Sequence, residues 1–147
     1  MKYAISACLM GKNCKYNGGN NKNEALINFL KDKDVITICP EVTGGLPTPR
    51  APSEIVGNRV INTLHEDVTF QFEQGAKQEL QRVLDEQVDV VILQPRSPSC
   101  GKGMVYDGHF EGMLIPGDGI FVQLLKKHKI DVYTSVEFLE KLATNQK

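Results

Sequence analysis

The chain has 147 residues, of which 41% are hydrophobic and 24% are charged, and its formal net charge is −1. This length and composition predict one folded domain over residues 1–147 and exclude a disordered chain, because enough apolar surface is available to form a core. The near-neutral charge argues against nucleic acid and anionic membranes as partners, and without a long apolar stretch or a signal peptide we expect a cytoplasmic protein with reduced thiols.

The first half of the chain predicts short strands and helices separated by loops rich in glycine and proline. A strand is expected at Lys2–Ala7, and a polar loop with turn-forming glycines follows over Met10–Asn23. Apolar residues at helical spacing then predict a helix over Glu24–Lys31. The next segments are, in order, a strand at Val35–Ile38, an irregular loop at Pro40–Ile55 and a short strand or hairpin arm at Val56–Thr63.

The second half of the chain continues the alternation of helices and strands. The longest helical pattern covers Glu66–Gln87 and assigns one apolar face to Phe70, Ala76, Leu80, Val83 and Leu84. The remaining segments are a strand at Asp89–Leu93, a tight turn at Tyr106–Phe110, a helix at Gly119–Lys129, a strand at Ile130–Tyr133, a helix at Ser135–Ala143 and a fraying end at Thr144–Lys147. This alternation predicts an α/β fold, a Rossmann-like three-layer sandwich with a mostly parallel sheet and helices on both faces. No apolar stripe is left uncovered, so the sequence makes no prediction of oligomeric state.

Three of the four cysteines, Cys8, Cys39 and Cys100, follow apolar runs and lie in loops rich in glycine, proline and serine. If those runs are neighbouring parallel strands, the thiols gather at the carboxyl edge of the sheet, where ligands bind in open α/β folds. Three converging thiols suit a soft metal and leave one coordination position open for a substrate. The alternative is that these cysteines are small buried apolar side chains, a common state of the free thiol.

The fourth cysteine, Cys14, lies inside the polar loop between Lys12 and Lys15. It could be a fourth ligand, a resolving thiol or a bystander, and nearby lysines would make such a thiol more reactive. We expect it to be a bystander.

Five polar side chains on the same loops are further candidates. Glu41 is a candidate general acid or base, and Ser97 and Ser99 are candidates for holding a polar substrate. Arg50, in a stiff segment between prolines, and Lys102 are candidate substrate contacts. For each of them the alternative is a solvated or turn-capping side chain with no part in chemistry.

Several motifs, taken together and in order, resemble one family. They are Ser6-Ala7-Cys8-Leu9, Gly11 with Lys15-Tyr16-Asn17-Gly18, Cys39-Pro40-Glu41-Val42-Thr43-Gly44-Gly45-Leu46 with Pro49-Arg50, Ser97-Pro98-Ser99-Cys100-Gly101, Tyr106-Asp107-Gly108 and Gly117-Asp118-Gly119. The set resembles the thiouracil desulfurase family of small bacterial proteins over nearly the whole chain. Each motif alone is weak evidence, whereas the ordered set is specific.

The resemblance implies a [4Fe–4S] cluster held by Cys8, Cys39 and Cys100, with Cys14 outside the ligand set. It also implies that the fourth iron is open and binds the sulfur of a small thiolated pyrimidine-type base. The cluster would then act as Lewis acid and sulfur acceptor, so the desulfuration is hydrolytic and involves no net redox change.

The same resemblance implies roles for the polar side chains near the thiols. Glu41 would be the acid or base that assists the attack of water on the substrate carbon. Ser97 or Ser99 would position the heterocycle or move a proton.

Two other functions remain open at the level of sequence, because function depends on the site and not on the fold. One is a non-catalytic binding or sensor protein that uses the same cysteines for iron or zinc. The other is a metal-free thiol enzyme with Cys100 or Cys8 as its nucleophile.

Overall fold

The computed structural model describes residues 1–145 of the chain. The strands, numbered in chain order, are β1 (Lys2–Ser6), β2 (Asp34–Ile38), β3 (Ser53–Val56), β4 (Arg59–Asn62), β5 (Val90–Leu93), β6 (Met104–Tyr106), β7 (Leu114–Pro116) and β8 (Asp131–Thr134). The helices are α1 (Glu24–Leu30), α2 (Pro40–Thr43), α3 (Thr69–Asp85), α4 (Ile120–Lys127) and α5 (Ser135–Asn145). A 3₁₀ turn over Ala7–Met10 follows β1 directly.

Strands β1, β2, β5 and β8 form a parallel sheet in the order β2–β1–β5–β8. Tyr3 of β1 pairs with Val35 on one side and with Val90 on the other. The chain passes from β1 to β2 on one side and later places β5 on the other side of β1. The topological switch point, where open α/β sheets bind ligands, therefore lies at the carboxyl ends of β1 and β5.

Helices cover both faces of the parallel sheet. On one face, α1 and α5 bury Leu26, Leu30 and Phe138 against Tyr3 and Ile5 of β1. On the other face, α3 and α4 bury Ala76, Leu80, Val83, Phe121, Val122 and Leu125 against Ala4, Val91 and Leu93. All four residues of β5 are buried, as expected for a strand covered on both sides. The predicted three-layer α/β sandwich with a mostly parallel sheet is confirmed.

Two antiparallel hairpins, β3–β4 and β6–β7, lie outside the parallel sheet. The hairpin arm predicted at Val56–Thr63 is confirmed by β4, but the irregular loop predicted at Pro40–Ile55 is wrong at both ends. Its first residues form α2, because proline suits the first turn of a helix, where no N–H is needed. Its last residues form β3.

The tight turn predicted at Tyr106–Phe110 begins where β6 ends, and Gly108 supplies its positive φ of 91°.

The apolar face predicted for the longest helix is correct for its middle and wrong at its ends. Ala76 and Val83 are buried, whereas Phe70 is 68% exposed and Leu84 is 44% exposed. The helix begins at Thr69 and buries Phe72, and a residue two positions earlier points about 200° away around the helix axis.

Over residues 1–145, none of the helices combines the length and the apolar character needed to cross a membrane. The fraying predicted for Thr144–Lys147 falls partly on α5, which continues through Asn145. Residues 146 and 147 lie outside the described residues.

Candidate active site

The carboxyl edge of the parallel sheet brings three cysteines together from three separate connections. Cys8 lies in the 3₁₀ turn after β1, Cys39 lies between β2 and α2, and Cys100 follows β5. Cys8 is close enough to Cys39 and Cys100 for their charges to interact. The structure thus gathers the three thiols at the edge of the sheet that the sequence analysis indicated.

Cys14 lies in the same group of thiols, and its expected role as a bystander stays a prediction. It is 5% exposed and packs in the hydrophobic cluster that contains Cys8. Its thiol lies close enough to the thiols of Cys8 and Cys39 to shift their pKa values. The loop is folded back onto the end of β1: the backbone N–H groups of Asn21 and Asn23 donate to the carbonyl oxygens of Cys8 and Leu9, and Arg50 Nη2 donates to the Cys14 carbonyl oxygen at 3.0 Å.

The thiols have very different proton affinities. Accepting a hydrogen bond from Cys14 lowers the pKa of Cys8, with a smaller contribution from Asn21, whose Nδ2 donates to Cys8 Sγ at 3.6 Å. The hydrogen bond to Cys14 and burial raise the pKa of Cys39, and burial raises the pKa of Cys100 to about 12. Of these three thiols, Cys8 is therefore the most readily ionised in the absence of a metal.

The donor set has the chemistry of a soft-metal site, because thiolates are the ligands of iron–sulfur clusters. Within residues 1–145, no three or more His, Cys, Asp or Glu side chains are arranged to hold a single metal ion. In a [4Fe–4S] cluster each cysteine binds a different iron, so its ligands need not converge on one point. Three thiols on three separate connections fit a cluster of that kind.

A fixed carboxylate lies beside the thiols. Glu41 stands in the first turn of α2, and its side chain is 15% exposed. Ser99 Oγ donates to one carboxylate oxygen at 2.8 Å, and Arg50 Nε donates to the other at 3.2 Å. Because both oxygens have directional donors, the carboxylate is held in one orientation.

The two serines connect this carboxylate to Cys100. Ser99 is 1% exposed and lies 3.2 Å from the Ser97 hydroxyl and 3.6 Å from Cys100 Sγ. Ser97 Oγ accepts a hydrogen bond of 2.7 Å from the Cys100 backbone N–H. The structure therefore brings Glu41, Ser97 and Ser99 together, with Ser99 buried between the other groups.

The two candidate substrate contacts are placed differently. Arg50 lines the cavity described below, but its guanidinium already donates to Glu41, Pro47, Thr48 and Cys14. Lys102 is directed elsewhere: its Nζ is 3.0 Å from Glu137 Oε1 and lies over the Tyr133 ring. Lys102 is not among the residues that line the cavity described below, and its substrate contact stays a prediction.

A cavity of about 560 Å³ opens next to the carboxylate. Its lining residues are Lys15, Tyr16, Asn21, Glu41, Arg50, Pro52, Ser53, Glu54, Thr63, Gln94, Pro95, Arg96, Ser97, Pro98, Tyr106, Phe110 and Gly112. Asn21, Glu41 and Ser97 each line the cavity and also contact the thiol region. The residues that line the cavity include no cysteine, so a small molecule in it would contact the thiol region through Asn21, Glu41 and Ser97.

Sequence reasoning missed two residues of this site. Asn21 carried no signal, because its loop is rich in asparagine and glycine. Glu79 did carry one, since it is a charged residue among the buried apolar residues of α3. It is fully buried, and its Oε2 accepts a hydrogen bond of 2.8 Å from the Cys39 backbone N–H.

An α/β protein with buried thiols, a fixed carboxylate and a cavity at the switch point of its sheet has the arrangement of an enzyme for a small molecule. The chain belongs to the 2-thiouracil desulfurase family, whose model matches residues 4–137. The predicted family is thereby confirmed, and the protein is an enzyme, a desulfurase. The alternative of a non-catalytic binding or sensor protein is set aside.

Two similar proteins support this assignment. The chain is 36% identical to the uncharacterized protein YbbK of Bacillus subtilis (strain 168) over an alignment of 133 residues. This alignment covers 84% of the chain and 88% of YbbK. It is also similar to the solved structure of the [4Fe-4S]-dependent thiouracil desulfidase TudS, with a TM-score of 0.90 and 36% identity over 99% of each chain.

Proposed function

We propose that this enzyme removes sulfur from 2-thiouracil or a related thiolated pyrimidine in a [4Fe–4S]-dependent, hydrolytic reaction. The supporting observation is the similarity to TudS over 99% of both chains, joined to the gathering of three thiols beside a cavity. In the reaction, the oxygen of water replaces the sulfur on the ring carbon, and sulfur leaves as sulfide. No electrons are gained or lost.

Cys8, Cys39 and Cys100 would hold the cluster. When bound, the cluster would supply a Lewis-acidic iron that polarises the thiocarbonyl group and favours the departure of its sulfur. Cys14 stays outside the proposed ligand set, although it touches two of the ligand thiols.

Glu41 would be the general acid and base. Its carboxylate lines the cavity and is fixed by Ser99 and Arg50, yet a carboxylate has about four acceptor positions and can still take a proton from water. Ser97 lines the cavity and would contact the heterocycle. Buried Ser99 would hold Glu41 and pass a proton between the Glu41 carboxylate and the Ser97 hydroxyl.

Arg50 would contact the substrate only through an N–H of Nη2, because its other donors are used by the protein. Its larger role would be to orient Glu41. We also propose that residues 1–147 form one domain and that the enzyme works in the cytoplasm, where thiols stay reduced.

The test is anaerobic purification with iron–sulfur reconstitution, followed by visible absorbance, iron and sulfide analysis, and EPR after reduction. Each of Cys8→Ala, Cys39→Ala and Cys100→Ala should lose the cluster together with the release of sulfide from 2-thiouracil. Cys14→Ala is the matched control, because it removes a thiol in contact with two proposed ligands and should keep both cluster and turnover.

Two outcomes would count against the proposal. Turnover that survives in any of the three ligand variants would exclude the cluster as the site of chemistry. Turnover in iron-free protein that resists chelators would favour the metal-free thiol mechanism, with Cys100 or Cys8 as the nucleophile.

A further inference from the structure

Glu79 is a buried carboxylate that the proposed reaction does not use. It lies on α3 among the apolar residues that pack on the sheet and is 0% exposed. A buried charge is costly unless it is paired and hydrogen-bonded, so a carboxylate at this position needs an explanation in its contacts.

The contacts of Glu79 lie at the end of β2, next to a proposed cluster ligand. Its Oε2 accepts from the Cys39 backbone N–H at 2.8 Å, and its Oε1 accepts from Arg82 Nη1 at 2.9 Å. The same Nη1 of Arg82 donates to the Thr37 carbonyl oxygen at 3.2 Å. Glu79 and Arg82 thus hold the backbone on both sides of Ile38.

The backbone after Cys39 is also fixed to α3. Gly44 and Gly75 bring α2 and α3 into backbone contact, and a Cβ at Gly75 would overlap the carbonyl oxygen of Pro40. The segment from Cys39 to Glu41 therefore has two attachments to α3: close packing at Gly75 and the hydrogen bond to Glu79. Only the second acts on Cys39 itself.

We propose that Glu79 is a positioning residue for the iron–sulfur site, which orients Cys39 as a cluster ligand through the hydrogen bond to its backbone N–H. This inference rests on the proposed function, in which Cys39 binds iron. The proposed role requires an oxygen that accepts the hydrogen bond from the Cys39 N–H, and it does not require the negative charge of Glu79. Groups that orient metal ligands in this way typically change metal affinity by about 10–100-fold when they are altered.

Two conservative variants of Glu79 separate the effect of side-chain length from the effect of charge. Glu79→Asp keeps the charge but is one methylene shorter, so it loses the hydrogen bond to Cys39. Glu79→Gln loses the charge but keeps an oxygen within reach of the N–H. The control, Glu73→Gln, removes an exposed carboxylate from the same helix.

The readouts are the rate of iron loss to a ferrous chelator, the EPR spectrum of the reduced cluster and the thermal unfolding temperature of each reconstituted protein. Glu79→Asp should lose iron about 10–100-fold faster than the wild type and show an altered EPR spectrum. Glu79→Gln and Glu73→Gln should retain iron and the EPR spectrum close to those of the wild type.

The proposal is overturned if Glu79→Asp lowers only the unfolding temperature and leaves iron retention and EPR unchanged. It is also overturned if Glu79→Gln loses iron as fast as Glu79→Asp, because an acceptor within reach of the Cys39 N–H would then not be enough to retain the iron. Should Glu79→Asp not fold, Glu79→Met takes its place, because it fills a similar volume without an acceptor for the Cys39 N–H. Faster iron loss from Glu79→Met than from Glu79→Gln supports the proposal, and equal retention overturns it. A wild-type protein that builds no cluster defeats the proposed function itself, which distinguishes the two failures.

Discussion

Glu41 differs from an ordinary loop carboxylate in the number of donors that hold it. Ser99 and Arg50 each bind one of its oxygens, and Arg50 is in turn fixed by the carbonyl oxygens of Pro47 and Cys14. The side chain of Arg50 is only 8% exposed. Because both oxygens are held in advance, a general base at this position stays within reach of the proton that it removes. The carboxylate therefore need not reorient during the chemical step.

We predict that Glu41→Gln lowers kcat for 2-thiouracil by about 10²–10⁴-fold, the range expected for removal of a general acid or base. The cluster should survive, because the amide can still accept from Ser99 and no ligand is changed. Steady-state sulfide release measures kcat, and visible absorbance with iron analysis measures whether the cluster is retained. Loss of iron in this variant would mean that Glu41 supports the cluster and does not act in proton transfer.

At the scale of elements, the short helix α2 connects a proposed ligand with the proposed base. It begins directly after Cys39, carries Glu41 in its first turn and docks on α3 through Gly44 and Gly75. Such a short helix is not stable alone. Its geometry therefore depends on the close approach of the two backbones.

We predict that Gly75→Ala destabilises the protein by about 3 kcal/mol, near the upper end of the range for overpacking, because the added Cβ overlaps backbone atoms that cannot rotate away. The displacement of Pro40 should also reduce iron content. Urea unfolding and iron analysis test both effects. Gln78→Ala, an exposed position on the same helix, should change neither, and equal behaviour of the two variants would contradict the prediction.

The start of α3 is held to β4 by Asp67. Its Oδ2 accepts from Arg59 Nε at 2.8 Å, and its Oδ1 accepts from the Thr69 backbone N–H at 2.9 Å. The hydrogen bond from Arg59, followed by those from Thr69, lowers the pKa of Asp67 from 3.8 to about 2. A carboxyl group with a lowered pKa stabilises the folded state only while it is ionised.

We predict that Asp67→Asn lowers the free energy of unfolding and that the loss depends on pH. The difference from the wild type should be complete above about pH 4 and should shrink as the pH falls toward about 2, where Asp67 becomes protonated in both states. Denaturant unfolding across this range measures it. A difference that stays constant down to about pH 2 would show that the ionised contacts contribute nothing.

The sequence predicted the layers of the fold well, because these depend on periodic patterns of apolar residues. It could not predict that Cys14 folds back onto Cys8, since the contacts that hold this loop include a hydrogen bond between Arg50 and the Cys14 carbonyl oxygen, 36 residues apart. The helix α2 was missed because prolines and glycines in its segment are equally typical of loops. Glu79 was detectable in principle as a charge on an apolar helix face, but only the structure shows that it reaches the Cys39 N–H.

At the scale of the whole molecule, the proposed cluster and the core are separate sources of stability. The core on both sides of the sheet is formed by aliphatic and aromatic residues such as Ile5, Leu26, Val91 and Phe121, all fully buried. The cluster would link three loops at one edge, residues 7–23, 39–52 and 94–103. These loops are rich in polar residues, glycine and proline and have few strand hydrogen bonds of their own.

We predict that iron removal leaves the sheet folded and loosens these three loops. Metal binding to the native state stabilises the segments that its ligands constrain. Here those segments are the three loops at the edge of the sheet and not the two helical layers. Amide hydrogen exchange of the reconstituted and iron-free enzyme should therefore differ mainly over residues 7–23, 39–52 and 94–103, with β1 and β5 still protected. Phe121→Ala provides the contrast, because loss of a buried ring costs about 3–5 kcal/mol and should raise exchange in the sheet as well. If iron removal instead exposed β1 and β5 to the same degree as the loops, cluster and core would form one cooperative unit, and the fold would depend on its metal.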